Sequence, residues 1–129
     1  MIHTIGRIIL GSFFVLAGIN KIANYAETAA GMDAVGLPGL LLPLVIALEI
    51  VGGVIVASAR PARLVFPTGL VLAGFTVLTN VFFHNFWTQP DHLAPLELSL
   101  FFKNLAIAGA LLMVAGGAVR TEKTAVPTR

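Results

Sequence analysis

The sequence predicts an all-α, polytopic membrane protein: a four-transmembrane-helix bundle with a short interfacial helix in the first outer loop. Three observations predict it. First, 57% of the residues are hydrophobic, only 11% are charged, and the mean hydropathy is +0.95, whereas a soluble domain of this length keeps roughly a quarter of its residues charged. Second, the apolar residues fall into runs near 2–21, 40–58, 64–84 and 97–118, each close to the ~20 residues a helix needs to cross a hydrocarbon core about 30 Å thick. Third, the basic residues sit at the ends of these runs, as topology signals do. Lipid offers the backbone no hydrogen-bond partners, so self-satisfied helices packed as a bundle are the natural solution and an open sheet is excluded. The whole chain, 1–129, reads as a single membrane domain with a polar tail over 119–129.

The first run follows a short start containing Arg7, as a signal peptide would, but it has no convincing small-residue cleavage site and three further runs follow. It is expected to stay as a span. The loop after it, "NYAETAAGMDAVGLPG", opens with Asn24 and has Glu27 three residues later, the pattern of a capping box. A short helix near the membrane surface should follow and end near Gly36, before Pro38. Pro43 then begins the regular part of the second run or kinks it. The third run leads into "FFHNFWTQPDHLAP", a mixture of aromatic and polar residues that suits the membrane interface. Pro95 and Glu97 suit the first turn of the fourth helix, and the tail after Arg120 should be solvated and loose. Arg60 and Arg63 lie between the second and third runs, and Arg120, Lys123 and Arg129 follow the fourth. These ends are expected in the cytoplasm, with both termini inside, while the outer loops carry Glu27, Asp33 and Asp91.

Composition also narrows the chemistry. With no cysteine, disulfides, thiolate metal sites and iron–sulfur clusters are excluded. The pI near 9.5 reflects a net charge of only +2 and helix-end basic residues, not a phosphate-binding stripe, so nucleic acid is not an expected partner. A haem held by two histidines needs both inside the bundle, yet His3 lies at one end and His92 in a loop. His84, Asp91 and His92 match no standard metal spacing. The chain has neither a phosphate loop nor a defensible Ser-His-Asp set.

Several polar residues nevertheless fall where lipid should be. Glu49 lies about nine residues into the second span, roughly 13 Å along the helix axis, near the bilayer middle, where a charge costs ~2.5 to 3.5 kcal/mol on insertion scales. It should be protonated, hydrated or paired. Lys21 at the end of the first span and Lys103 within the fourth can both reach toward it. In the third span, Gly69, Ala73, Thr76, Asn80 and His84 follow three-and-four spacing, giving one face that is small at one end and polar at the other. That polar end should converge with Glu49, Lys103 and Asn104 on a pocket in the outer half of the bundle. Plainer readings stand beside this one. Lys21 and Lys103 can snorkel to the surface, and Glu49 with a lysine can simply hold the bundle together. Asn20, Asn80 and Asn104 can be interhelical glue, and His84 can meet headgroups. Phe82, Phe83, Phe86 and Trp87 read as an interface belt, with cofactor stacking as the alternative.

The stretches "GRIILGSFFVLAGINKI" (6–22), "LPGLLLPLVIALEIVGG" (37–53), "GFTVLTNVFFHNF" (74–86) and "KNLAIAGALL" (103–112) resemble, in order, the DoxX family of small bacterial membrane proteins. Matching positions are Arg7, Gly11, Gly18, Lys21, Pro43, Glu49, Gly52, Gly53, His84, Lys103, Asn104 and Leu105; Ala110 stands where a second glycine is often found. The resemblance implies a four-helix protein of the bacterial inner (plasma) membrane associated with quinone and with a redox partner protein, as a possible oxidoreductase subunit. Quinone carbonyls need donors, which Lys21, Lys103, Asn104, His84 and Asn80 can provide. Glu49 and His84 are the suitable proton carriers, so Glu49, His84 and Lys103 are the expected catalytic set. Two other readings stay open: a small-solute or proton transporter or channel, and a non-catalytic assembly subunit. Small-residue stripes also make a homo-oligomer reasonable.

Overall fold

The computed structural model describes residues 1–125, with side chains described to 119. It is helical almost throughout. Helix α1 spans Ile2–Ala23, α2 Tyr25–Ala34, α3 Leu42–Ser58, α4 Ala62–Phe83 and α5 Ala94–Ala125, with short 3-10 turns at Gly39–Leu41 and Phe86–Thr88. Four helices are long and apolar enough to cross a membrane, and α2 is the short one between the first two. The chain is therefore a multi-pass membrane protein.

Local chemistry sets the boundaries, though not always as expected. Asn24 precedes α2 but forms no capping box: its Nδ2 donates instead to the carbonyl and Oδ1 of Asn20, at 3.0 and 3.1 Å. The side chain is consumed by the end of α1 and so cannot serve the start of α2. Helix α2 ends at the positive-φ Gly36 (φ 80°), and Asp33 Oδ1 accepts the Gly39 amide at 2.7 Å, fastening its end to the next turn. Pro43 sits in the first turn of α3, where its missing N–H has no intrahelical partner to lose. Pro67 lies inside α4 and deprives the Arg63 carbonyl of its usual donor. The fourth apolar span, Ala94–Val119, ends where expected, but helix α5 continues to Ala125, so the part of the tail after Arg120 that was expected to be loose is helical as far as 125. The rest of that tail, 126–129, lies outside the described residues.

The bundle is two tight pairs. Helix α1 packs mainly on α3, and α4 mainly on α5; the pairs meet chiefly through α3 and α4. Glycines set the spacing. Gly11 and Gly53 bring the backbones of α1 and α3 together, so that a Cβ on Gly53 would lie 2.6 Å from the Gly11 carbonyl oxygen. Gly69 admits Ala115 of α5, and Gly52 admits Leu72 of α4 across the junction of the pairs. Without an oil–water driving force between helices in lipid, such close packing is what holds them. The buried core, including Phe14, Val56, Leu72, Ala108 and Leu111, fills the part of the bundle toward Arg60. Large apolar side chains such as Ile9, Leu16, Leu44, Val71 and Met113 face outward, where lipid would cover them. Toward α2 the pairs part.

The spacing argument makes a contrast measurable. Gly53→Val should force α1 and α3 apart and destabilise the protein by roughly 1–3 kcal/mol, as overpacking does. A Cβ on Gly74 meets nothing within 4 Å, so Gly74→Ala should leave the thermal unfolding midpoint in detergent unchanged or slightly raised. Equal midpoints for the two variants would contradict the glycine contact as the spacer.

Candidate functional site

Where the helix pairs part, they enclose a cavity of about 650 Å³ lined by residues of all five α-helices. Its lining is mostly apolar and aromatic, with Phe13, Phe14, Phe75, Phe82 and Phe83 among its walls. Thr28 and Met32 of α2 close it from the loop side. The interfacial helix is thus a roof, held in place by the Asp33–Gly39 bond. Among these apolar walls are Asn20, Lys21, Glu49, Thr76, Thr79, His84, Lys103 and Asn104.

Glu49 is 4% exposed. Its Oε1 accepts a hydrogen bond from Lys21 Nζ at 2.8 Å in an ion pair. The register set by Gly11 against Gly53 and Gly18 against Ile46 puts Lys21 more than a helical turn nearer α2 than Glu49. Its arm therefore reaches into the bundle to Glu49, not outward to the surface as the snorkelling reading had it. The second oxygen, Oε2, is buried without a hydrogen-bond partner. An unanswered buried carboxylate oxygen is unusual and costs about 1–3 kcal/mol.

The pair that sequence allowed between Glu49 and Lys103 does not form. Lys103 lines the cavity, is exposed, and has no hydrogen-bond or ion-pair partner among the described residues. Its neighbour Asn104 is held: Asn104 Nδ2 donates to Asn80 Oδ1 at 2.9 Å, and Asn80 Nδ2 donates to the Phe101 carbonyl at 3.0 Å. Asn80 is 1% exposed and lies behind the cavity wall, not on it. It orients Asn104 where the sequence analysis expected it to meet a ligand directly. Thr76 is likewise committed, its hydroxyl donating to the Leu72 carbonyl at 2.8 Å.

His84 follows the last residue of α4 and lines the cavity. Its Nδ1 lies 2.8 Å from Glu97 Oε2 in the first turn of α5. An ionised carboxylate only accepts, so Nδ1–H donates and Nε2 is the remaining ring nitrogen. Sequence reasoning missed this partner because it took Glu97 as a helix-dipole residue alone. The available signal was antiparallel closure: the loop between α4 and α5 returns the chain so that the residues flanking it face each other. Phe86, Trp87 and Phe101 stack edge to face over this junction, with centroids 5.1 to 6.0 Å apart, which fastens the loop. Their edges pack on one another, as an interface belt closing the helix ends would.

The comparisons follow the same outline. The DoxX family model matches residues 2–85. The Escherichia coli (strain K12) inner membrane protein YqjF is 39% identical over 111 residues, covering 86% of this chain and 79% of that protein. The inner membrane protein YphA of the same organism is 26% identical over 113 residues, again covering 86% and 79%. No solved structure matches the chain. The matched region carries α1 to α4, with the Lys21–Glu49 pair, the close-packed glycines and His84; the chain is a member of the DoxX family.

Proposed function

We propose that this protein is an inner-membrane component of a quinone-linked redox system and that the cavity holds the quinone head group. One observation carries the reading: a largely apolar, partly open cavity offers hydrogen-bond donors from two helix pairs beside a half-satisfied carboxylate. That combination of apolar walls and a few placed polar groups is what small-molecule sites have in common. A bound quinone would supply two-electron, two-proton carrier chemistry. Lys21, Lys103 and Asn104 would hold its oxygens, with Asn80 fixing Asn104. Glu49 Oε2 and His84 Nε2 would take or give protons, and Glu97 would keep the His84 ring in one tautomer. The chain has no cysteine, so electrons would reach the head group from a partner redox protein. The aromatic and aliphatic walls would exclude water and guide an apolar tail toward lipid.

We also propose that both termini are cytoplasmic and that the cavity lies in the outer half of the membrane, from the Arg60 and Arg63 bias. The cysteine-free chain makes this simple to test. A membrane-impermeant maleimide on intact cells should label Thr88→Cys and spare Ala62→Cys until the membrane is broken. The reverse pattern would invert the topology.

The ion pair must hold a charge as well as serve a ligand. Lys21→Met should strand the buried Glu49 and destabilise the protein by less than the ~3–5 kcal/mol of a fully buried pair, since the lysine side chain is 26% exposed. The double variant with Glu49→Gln should recover most of that in thermal unfolding. A single variant as stable as wild type would mean the pair contributes nothing to the bundle.

The functional test is a lipid extract of gently purified protein, assayed for quinone by mass spectrometry beside folded Glu49→Gln and Lys103→Met variants. Enrichment over the surrounding membrane in wild type, lost in both variants, is the expected outcome. Quinone at the bulk level in all three samples would overturn the reading in favour of transport or assembly.

A further inference from the structure

The polar groups of the cavity do not balance. Lys21 and Glu49 cancel each other in a 2.8 Å pair, and His84 is matched by Glu97 at 2.8 Å. Lys103 is the remainder: an exposed ammonium on the α5 side of the same cavity with no hydrogen-bond or ion-pair partner among the described residues. It is held on α5 beside Asn104, whose side chain is tied to Asn80 and thence to the Phe101 carbonyl. An unmatched cation on a cavity wall favours a negative charge. A neutral quinone carries only acceptor oxygens and answers that preference weakly.

We infer that the cavity selects an acidic hydroxylated ring in its ionised form, with the ionised oxygen held by Lys103, over a neutral diketone ring of similar size. This rests on the quinone reading above and goes beyond it by assigning Lys103 as the residue that determines charge preference. A charge-assisted hydrogen bond exceeds a neutral one by enough to give about a tenfold difference in affinity.

The test uses two short probes of nearly equal size on the full chain in detergent. One is 2-methyl-1,4-naphthoquinone, which is neutral; the other is 2-hydroxy-1,4-naphthoquinone, which is ionised at neutral pH. Dissociation constants are measured by isothermal titration for wild type, Lys103→Met and Lys103→Arg, each checked for folding by thermal unfolding. The wild type should bind the ionised probe about tenfold more tightly than the neutral one. Lys103→Met should remove that preference by weakening the ionised probe about tenfold more than the neutral one, and Lys103→Arg should retain it because the charge is kept. Equal binding of both probes by wild type would overturn the inference while leaving the quinone reading intact, as would a preference that survives Lys103→Met. A preference lost in both Lys103 variants would also overturn it, since a charge effect must survive the arginine. Binding of neither probe would count against the quinone reading itself, and the inference would fall with it.

Discussion

A carboxylate far inside a bilayer has to be answered, and the answer given to Glu49 organises the rest of this protein. Lys21 supplies it, and to do so the end of α1 must lie against the middle of α3 with the lysine arm turned inward. That requires the two helices to run very close, which is why Gly11 and Gly53 meet backbone to backbone. The pairing satisfies only one oxygen of Glu49. Close packing, inward lysine and half-satisfied carboxylate therefore form one connected arrangement. The cavity exists where α4 and α5 stand off from it.

The two ends of the bundle divide the work. Toward Arg60 the interior is filled with interlocking apolar side chains, and Leu72 packs on Gly52 to join the pairs. Toward α2 that filling stops and polar groups take its place. This division follows from what lipid can and cannot provide. It rewards tight van der Waals contact between helices, but it gives a polar side chain nothing, so polar residues gather where they can meet each other or a guest. The roof helix α2 is neither strongly apolar nor strongly charged, and it sits where both kinds of surroundings meet.

Much of this was legible in the sequence, and the failures have a common cause. The spans could be read because hydropathy and length act on each helix separately, and the face of Gly69, Ala73, Thr76 and Asn80 emerged because helical spacing is fixed. All four are buried in the structure. Pairings between helices were less accessible. The sequence allowed either lysine to meet Glu49, and only the register of α1 on α3 selects Lys21. It placed Asn80 on the pocket wall, whereas the rotation of α4 puts it behind Asn104. Asn24 matched a capping box by spacing, yet Asn20, one turn earlier, captured its side chain. Glu97 was assigned to its own helix and proved to belong to His84 as well. Each miss concerns a choice among partners that one-dimensional spacing cannot make.

The polar contacts described at the α2 end share a further property: each stays within one helix pair. Lys21 and Glu49 belong to α1 and α3, while Asn80, Asn104, His84 and Glu97 belong to α4 and its continuation into α5. Glu49 and Glu97 are therefore each answered within their own hairpin, without help from the other. During synthesis the N-terminal hairpin emerges first, and it can settle in the bilayer with its buried acid already matched before the second hairpin is made. The second hairpin brings one cation, Lys103, that neither half matches among the described residues, and the chamber forms where the two halves dock.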